Sequence, residues 1–159
     1  MPRRVVYWDS AAFLGLINED KSPQQVNSCK AVWDAAKNGE IHIVTSTLAA
    51  AEVIYMKGVP KLDPNKRALV GNFFRDQHLS QKSVTRMIAE LARDVVWDSG
   101  IKPKDAIHVA TACFYKITDF HTYDDGLLKL AHCTVNGFTI NIVEPHHSYQ
   151  TDMFKNESN

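Results

Sequence analysis

Four short stretches of this chain each set an acid where a strand gives way to a helix, or where a helix is under way. They are Val6-Tyr-Trp-Asp-Ser10, Leu48-Ala-Ala-Ala-Glu-Val53, Lys102-Pro-Lys-Asp-Ala-Ile-His108 and Phe120-His-Thr-Tyr-Asp-Asp125. The acids are Asp9, Glu52, Asp105 and Asp124, with Asp125 beside the last. Carboxylates crowded together repel one another and take up protons unless a cation compensates. Oxygen-only donors are hard ligands that suit Mg2+ or Mn2+, ions that retain waters and engage substrate phosphate. A cation of this kind orients and activates water and stabilises in-line displacement at phosphorus. The chemistry these residues point to is phosphodiester hydrolysis. Ser10 and Thr122 add hydroxyls placed to orient the carboxylates or a metal-bound water. Taken singly, Asp9 reads equally well as a turn residue, and Asp124 or Asp125 as a helix cap. Glu52 and Asp105 have apolar neighbours, where a carboxylate is costly unless paired or ligating.

The elements that must position these acids follow from periodicity and caps. Arg4–Trp8 is β-branched and aromatic, as a buried strand requires, and Ser10 is a plausible cap for a helix over 11–17. Ser22 and Pro23 are a helix cap and first residue, with Gly39 as the stop. Ile41–Val44 reads as a second strand, leading to an Ala-rich helix over 48–56 with Glu52 in its second turn. Asp63-Pro64 repeats the cap pattern for a helix over about 65–77. A break at His78-Leu79, with room for a very short strand before it, precedes a helix from Ser80 or Ser83 that ends at Asp98-Ser-Gly100. Lys102-Pro103 opens the helix of Asp105, with Ile107, Ala110, Thr111 and Phe114 spaced to face a core. A strand over 117–122, a short helix over 127–132 and a last strand over 138–143 complete the chain. Strands alternating with helices predict an α/β fold, a mostly parallel sheet covered on both faces. In such sheets ligands gather at the carboxyl ends of the strands, at the topological switch point. Asp9 and Asp124 fall there, and Asp105 falls in a first helical turn, where the helix dipole favours an anion.

Composition bounds the rest. The 159 residues suit one domain, expected over 1–145, followed by a loose polar tail over 146–159. No apolar run approaches a membrane span. The start, Met-Pro-Arg-Arg, leaves no room for a signal peptide, so a cytoplasmic location is the expectation. Cys29, Cys113 and Cys133 are too few and too scattered for a disulfide framework or a structural zinc site. Net charge is zero, yet residues 57–104 hold ten Lys and Arg against five Asp and Glu. That basic middle reads either as a phosphate-binding surface beside the acids or as solvated helix faces. No dinucleotide fingerprint, P-loop or H-E-x-x-H is present. His108 reads as a structural histidine, His121 as structural or a substrate contact, and His146-His147 as incidental.

The chain resembles a PIN-domain ribonuclease, in particular a VapC-type toxin, over roughly residues 4–143. The resemblance rests on Val6-Tyr-Trp-Asp-Ser10, on Ser46 through Glu52, on Asp105-Ala-Ile-His-Val-Ala-Thr-Ala112 and on Thr122-Tyr-Asp124. It implies a three-layer α/β/α fold, with Asp9, Glu52, Asp105 and Asp124 binding metal and Asp125 an ambiguous neighbour. Ala11 stands where many relatives have Asn. Proteins of this kind cleave RNA with Mg2+ or Mn2+, form homodimers and are silenced by a cognate antitoxin, and the resemblance implies that the helices of 46–77 form the antitoxin and dimer surface. A non-toxic RNA-processing nuclease and a catalytically silent binding module of the same fold are the alternatives. A signalling receiver domain also combines an acidic pocket with such a sheet. It needs a Lys after the last strand, where this chain has Val143-Glu-Pro-His146.

Overall fold

The computed structural model of the protein describes residues 3–54 and 58–147. Among them, six strands make one sheet in the order β3-β2-β1-β4-β6-β5. The strands are β1 (Arg4–Trp8), β2 (Ile41–Ser46), β3 (Leu79–Lys82), β4 (Asp119–His121), β5 (His132–Val135) and β6 (Phe138–Val143). All neighbouring pairs are parallel except β5 and β6. Helices α1 (Ser10–Asn18), α2 (Pro23–Lys37), α3 (Thr47–Glu52) and α4 (Pro64–Phe74) occur in the first half. Helices α5 (Arg86–Ser99), α6 (Pro103–Phe114) and α7 (Asp125–Leu130) follow.

Alternation along β1 divides the core, since successive strand side chains point to opposite faces. Val6 and Trp8 enter the apolar cluster built with α1, α2 and α4, where Trp8, Phe13, Trp33 and Phe74 meet ring against ring. Tyr7 enters the opposite cluster, with α5, α6 and Phe120. The sheet is therefore a middle layer buried on both faces, the three-layer α/β/α arrangement expected.

Several boundaries differ from the sequence reading, each for a local reason. Asp9 rather than Ser10 caps α1, its carboxylate accepting from the Ala12 amide. The Ala-rich helix stops at Glu52, because Val53 leaves helical geometry (φ −87, ψ 83) with its side chain buried. The end of the predicted stretch, residues 55 and 56, lies outside the described residues. Residues 79–82 pair with β2, and Thr85 caps a helix that begins at Arg86 rather than near Ser80 or Ser83. Strand β4 is shorter than 117–122, because Lys116 takes a left-handed φ of 57° and the Ile117 amide bonds back to Ala112. Phe114 is 38% exposed and so does not serve as a core residue. Strand β5 was not anticipated. It joins β6 through Asn136-Gly137, both at positive φ, as a two-residue hairpin turn requires.

The chain after β6 is held rather than loose as far as it is described. The Arg4 guanidinium donates to the carbonyls of His146 and His147, and Gln25 donates to Glu144. The remainder of the predicted tail, from residue 148, lies outside the described residues.

Candidate functional site

Strand order reverses direction at the β1–β4 pair, which makes the carboxyl ends of these strands the switch point of the sheet. Asp9 leaves β1 there and is 3% exposed. Its Oδ1 accepts from the Ala12 amide at 3.1 Å, and its Oδ2 accepts from the Thr122 hydroxyl at 2.5 Å. Burial pushes its pKa up, to about 6, and the charge of Asp105 adds to the rise. His108, Thr122 and the Ala12 amide act against it.

Thr122 follows β4 directly. Its hydroxyl, fully buried, also accepts from the Asp124 amide at 3.0 Å. One side chain thus ties the Asp9 carboxylate to the backbone that presents Asp124. Asp124 caps α7, with Oδ2 accepting from the Leu127 amide at 2.9 Å. The cap reading and the site reading therefore meet in one residue. Asp125 begins α7 and is exposed. The loop is braced from behind by Tyr123, whose hydroxyl donates to the Gln25 carbonyl and whose ring lies against Gly15 of α1. A Cβ at Gly15 would stand 2.6 Å from that ring, so this close approach requires glycine.

Glu52, the last residue of α3, receives two hydrogen bonds on the same oxygen. The Ser10 hydroxyl donates to Oε1 at 2.8 Å, and His108 Nε2 lies 2.7 Å from it. Burial pushes this carboxyl up, but the His108 bond and charge, Ser10 and Lys104 leave it below its ordinary value. Asp105 enters from the first turn of α6 and is half-buried. Burial raises its pKa, Asp124 and Glu52 raise it further, and His108 and Lys102 oppose the rise. Asp105 is thus in electrostatic reach of Asp9, Glu52 and Asp124. The structure brings together Asp9, Glu52, Asp105 and Asp124, with Ser10 and Thr122 hydrogen-bonded to two of them and Asp125 at the exposed margin.

His108 is the feature that sequence reasoning passed over. Read as packing, it is instead 1% exposed and bonded to Glu52, and its charge acts on Asp9, Glu52 and Asp105. Its spacing of three residues from Asp105 on one helix put both on one face and was the available signal. His121 is fully buried, which removes it from the substrate-contact reading; Trp8 donates to its Nδ1 at 3.2 Å. His146 packs its ring against His121, and His147 pairs with Glu40.

The donor set fits a hard divalent cation in its chemistry. It is all oxygen, and the mutual repulsion that raises Asp105 is what a cation would relieve. Among the described residues, no three His, Cys, Asp or Glu side chains are arranged to hold one ion together. Glu52 is turned toward His108 and Ser10, and Asp9 toward Thr122. Mg2+ commonly takes one or two carboxylates and fills its shell with water and phosphate, so a set with few simultaneous protein ligands suits it.

Three arginines of the basic middle segment are engaged in local contacts. Arg86 pairs with Glu90, Arg67 donates to the Leu62 carbonyl, and Arg93 lies over Trp97. Lys102 and Lys104, both exposed at the start of α6, carry charge that acts on Asp105 and Glu52 respectively. No described helix is long and apolar enough to cross a membrane.

Comparison with known proteins agrees with this architecture. The family model of the PIN domain matches residues 6–132. Among solved structures, VapC20 of Mycobacterium tuberculosis, a Sarcin-Ricin loop cleaving toxin, superposes with a TM-score of 0.60 at 14% identity, over 76% of this chain and 90% of that one. A toxin–antitoxin complex from Klebsiella pneumoniae gives 0.56 at 15% identity, over 90% and 99%. VapBC2 from Rickettsia felis, bound to a DNA fragment from its promoter, gives 0.59 at 16%, over 88% and 98%. At these identities the likeness is one of fold. A search of curated proteins finds no match.

Proposed function

The chain belongs to the PIN domain family, and from that premise we propose that it is a metal-dependent endoribonuclease, the toxin of a toxin–antitoxin pair. What supports this reading most is the placement of Asp9, Glu52, Asp105 and Asp124 about the carboxyl end of a parallel sheet, with Asp105 in electrostatic reach of the other three. Carboxylates from this set of four would hold Mg2+ or Mn2+, with water completing the shell. Such an ion, when bound, supplies an activated water and charge neutralisation at the phosphate. Thr122 keeps Asp9 oriented, and Ser10 keeps Glu52 oriented, so neither carboxylate spends freedom at the moment of reaction. Lys102 and Lys104 flank Asp105 and would position the RNA backbone, contacts that carry no sequence information. Asp125, exposed beside Asp124, is left for the margin of the substrate path.

Support for the toxin reading over a non-toxic processing nuclease comes from the structural relatives, which include a toxin and two toxin–antitoxin assemblies. An apolar groove between α3 and α4, walled by Val53, Ile54, Leu62, Val70 and Phe74, is the surface we assign to a cognate antitoxin. A homodimer and a cytoplasmic setting belong to the same reading. The experiment is RNA cleavage by the purified chain in Mn2+ or Mg2+ against a chelator control. Cleavage that requires the metal and is abolished in Asp9→Asn and Asp105→Asn supports the reading. Full cleavage by both variants refutes it. Growth arrest on expression, relieved by the neighbouring reading frame, separates toxin from processing enzyme.

A further inference from the structure

The metal-binding reading leaves unexplained a fully buried polar chain that runs from the core to Glu52. The Tyr7 hydroxyl lies 2.7 Å from His108 Nδ1, and His108 Nε2 lies 2.7 Å from Glu52 Oε1. Tyr7 is 0% and His108 1% exposed, and Tyr7 belongs to the apolar core that α5 and α6 build. An ionised carboxylate only accepts, so Nε2 must carry a proton and donate it to Glu52. On the other side of the ring Nδ1 meets the Tyr7 hydroxyl, a group able both to donate and to accept. Two donors thereby converge on one oxygen of Glu52, His108 and Ser10, with Tyr7 holding the far side of the imidazole.

Glu52 needs such a support. It is the last residue of a six-residue helix, and the chain leaves helical geometry at the next residue. A glutamate has three side-chain torsions to order, and α3 is too short to hold it by packing alone. Tyr7 and His108 come from two well-buried elements at the site, the central strand β1 and helix α6.

We propose that His108, itself oriented by Tyr7, is a positioning residue that sets the carboxylate plane of Glu52 for the divalent cation. The proposal rests on the metal-dependent reading given above. It assigns His108 no contact with substrate or ion. By fixing Oε1 with two donors, His108 and Ser10 leave Oε2 as the oxygen offered to the ion. Partners of this outer kind govern metal affinity by about 10–100-fold when removed.

The test is Mn2+ binding to the full chain by calorimetry, with near-ultraviolet circular dichroism to establish folding. His108→Leu is expected to bind Mn2+ about 10–100-fold more weakly than the natural protein. His108→Gln, whose amide can still donate to Glu52, should restore most of that loss. In a Glu52→Gln background, His108→Leu should cause no further loss, because its effect passes through Glu52. Tyr7→Phe should weaken binding in the same direction and stands in for His108→Leu should that variant not fold. Unchanged Mn2+ affinity in folded His108→Leu or in Tyr7→Phe overturns the proposal, as does a full additional loss in the Glu52→Gln background. Absence of Mn2+ binding by the natural protein, in contrast, overturns the metal-dependent reading itself.

Discussion

Replacing Asp9 by Asn is expected to make the metal-free protein more stable at neutral pH while removing its activity. The carboxyl of Asp9 is raised from 3.8 to about 6, chiefly by burial. Between these values the folded state holds a proton that the unfolded chain has released. Stability therefore falls as pH rises through that window, because the folded state then binds more protons than the unfolded one. The shift is about two pK units, and each unit corresponds to about 1.4 kcal/mol, so the penalty above pH 6 is about 3 kcal/mol. An Asn at position 9 keeps an oxygen for the Ala12 amide, and Asn caps a helix as well as Asp does. Urea unfolding in chelator from pH 4 to 8 measures the difference. The natural protein should lose stability relative to Asp9→Asn between about pH 4 and 6, and the gap should stay constant above. Curves that run parallel across the whole range would show that Asp9 is not held in a desolvated site, and the electrostatic account of the acid cluster would fail with it.

Gly15→Ala tests the brace behind the Thr122–Asp124 loop. Its Cβ would meet the Tyr123 ring at 2.6 Å, an overpacking expected to cost about 1–3 kcal/mol in urea unfolding. An unchanged midpoint would mean that the ring swings aside freely. Lys102→Glu together with Lys104→Glu should weaken RNA binding in a fluorescence titration, and the salt dependence of the remaining affinity should be shallower. Equal slopes for the variant and the natural protein would remove these two lysines from the phosphate path.

Much of this site was legible in the amino-acid order because its acids lie next to local signals. Asp9 and Asp124 follow strands and cap the next helices, and Asp105 follows Lys102-Pro103 by two residues; each placement needs only neighbours in sequence. Pairing across the fold was harder to see. Glu52 was read as the middle of an Ala-rich helix, and helix propensity yielded there to the burial of Val53. That the His108 imidazole meets Glu52, 56 residues away, depends on how α6 packs beside α3 and β1. The Ser80 stretch carries no strong strand pattern, and its pairing with β2 is imposed by the sheet. Strand β5, by comparison, was readable in principle: Asn136-Gly137 between Val135 and Phe138 is a hairpin signal.

The most direct test of the central claim is anomalous diffraction from crystals of the protein grown with Mn2+. A manganese peak bonded to carboxylate oxygens from among Asp9, Glu52, Asp105 and Asp124, and lost in Asp105→Asn, is the predicted result. Manganese found elsewhere, with these four acids still engaged only by Thr122, Ser10, His108 and the helix amides, would contradict it.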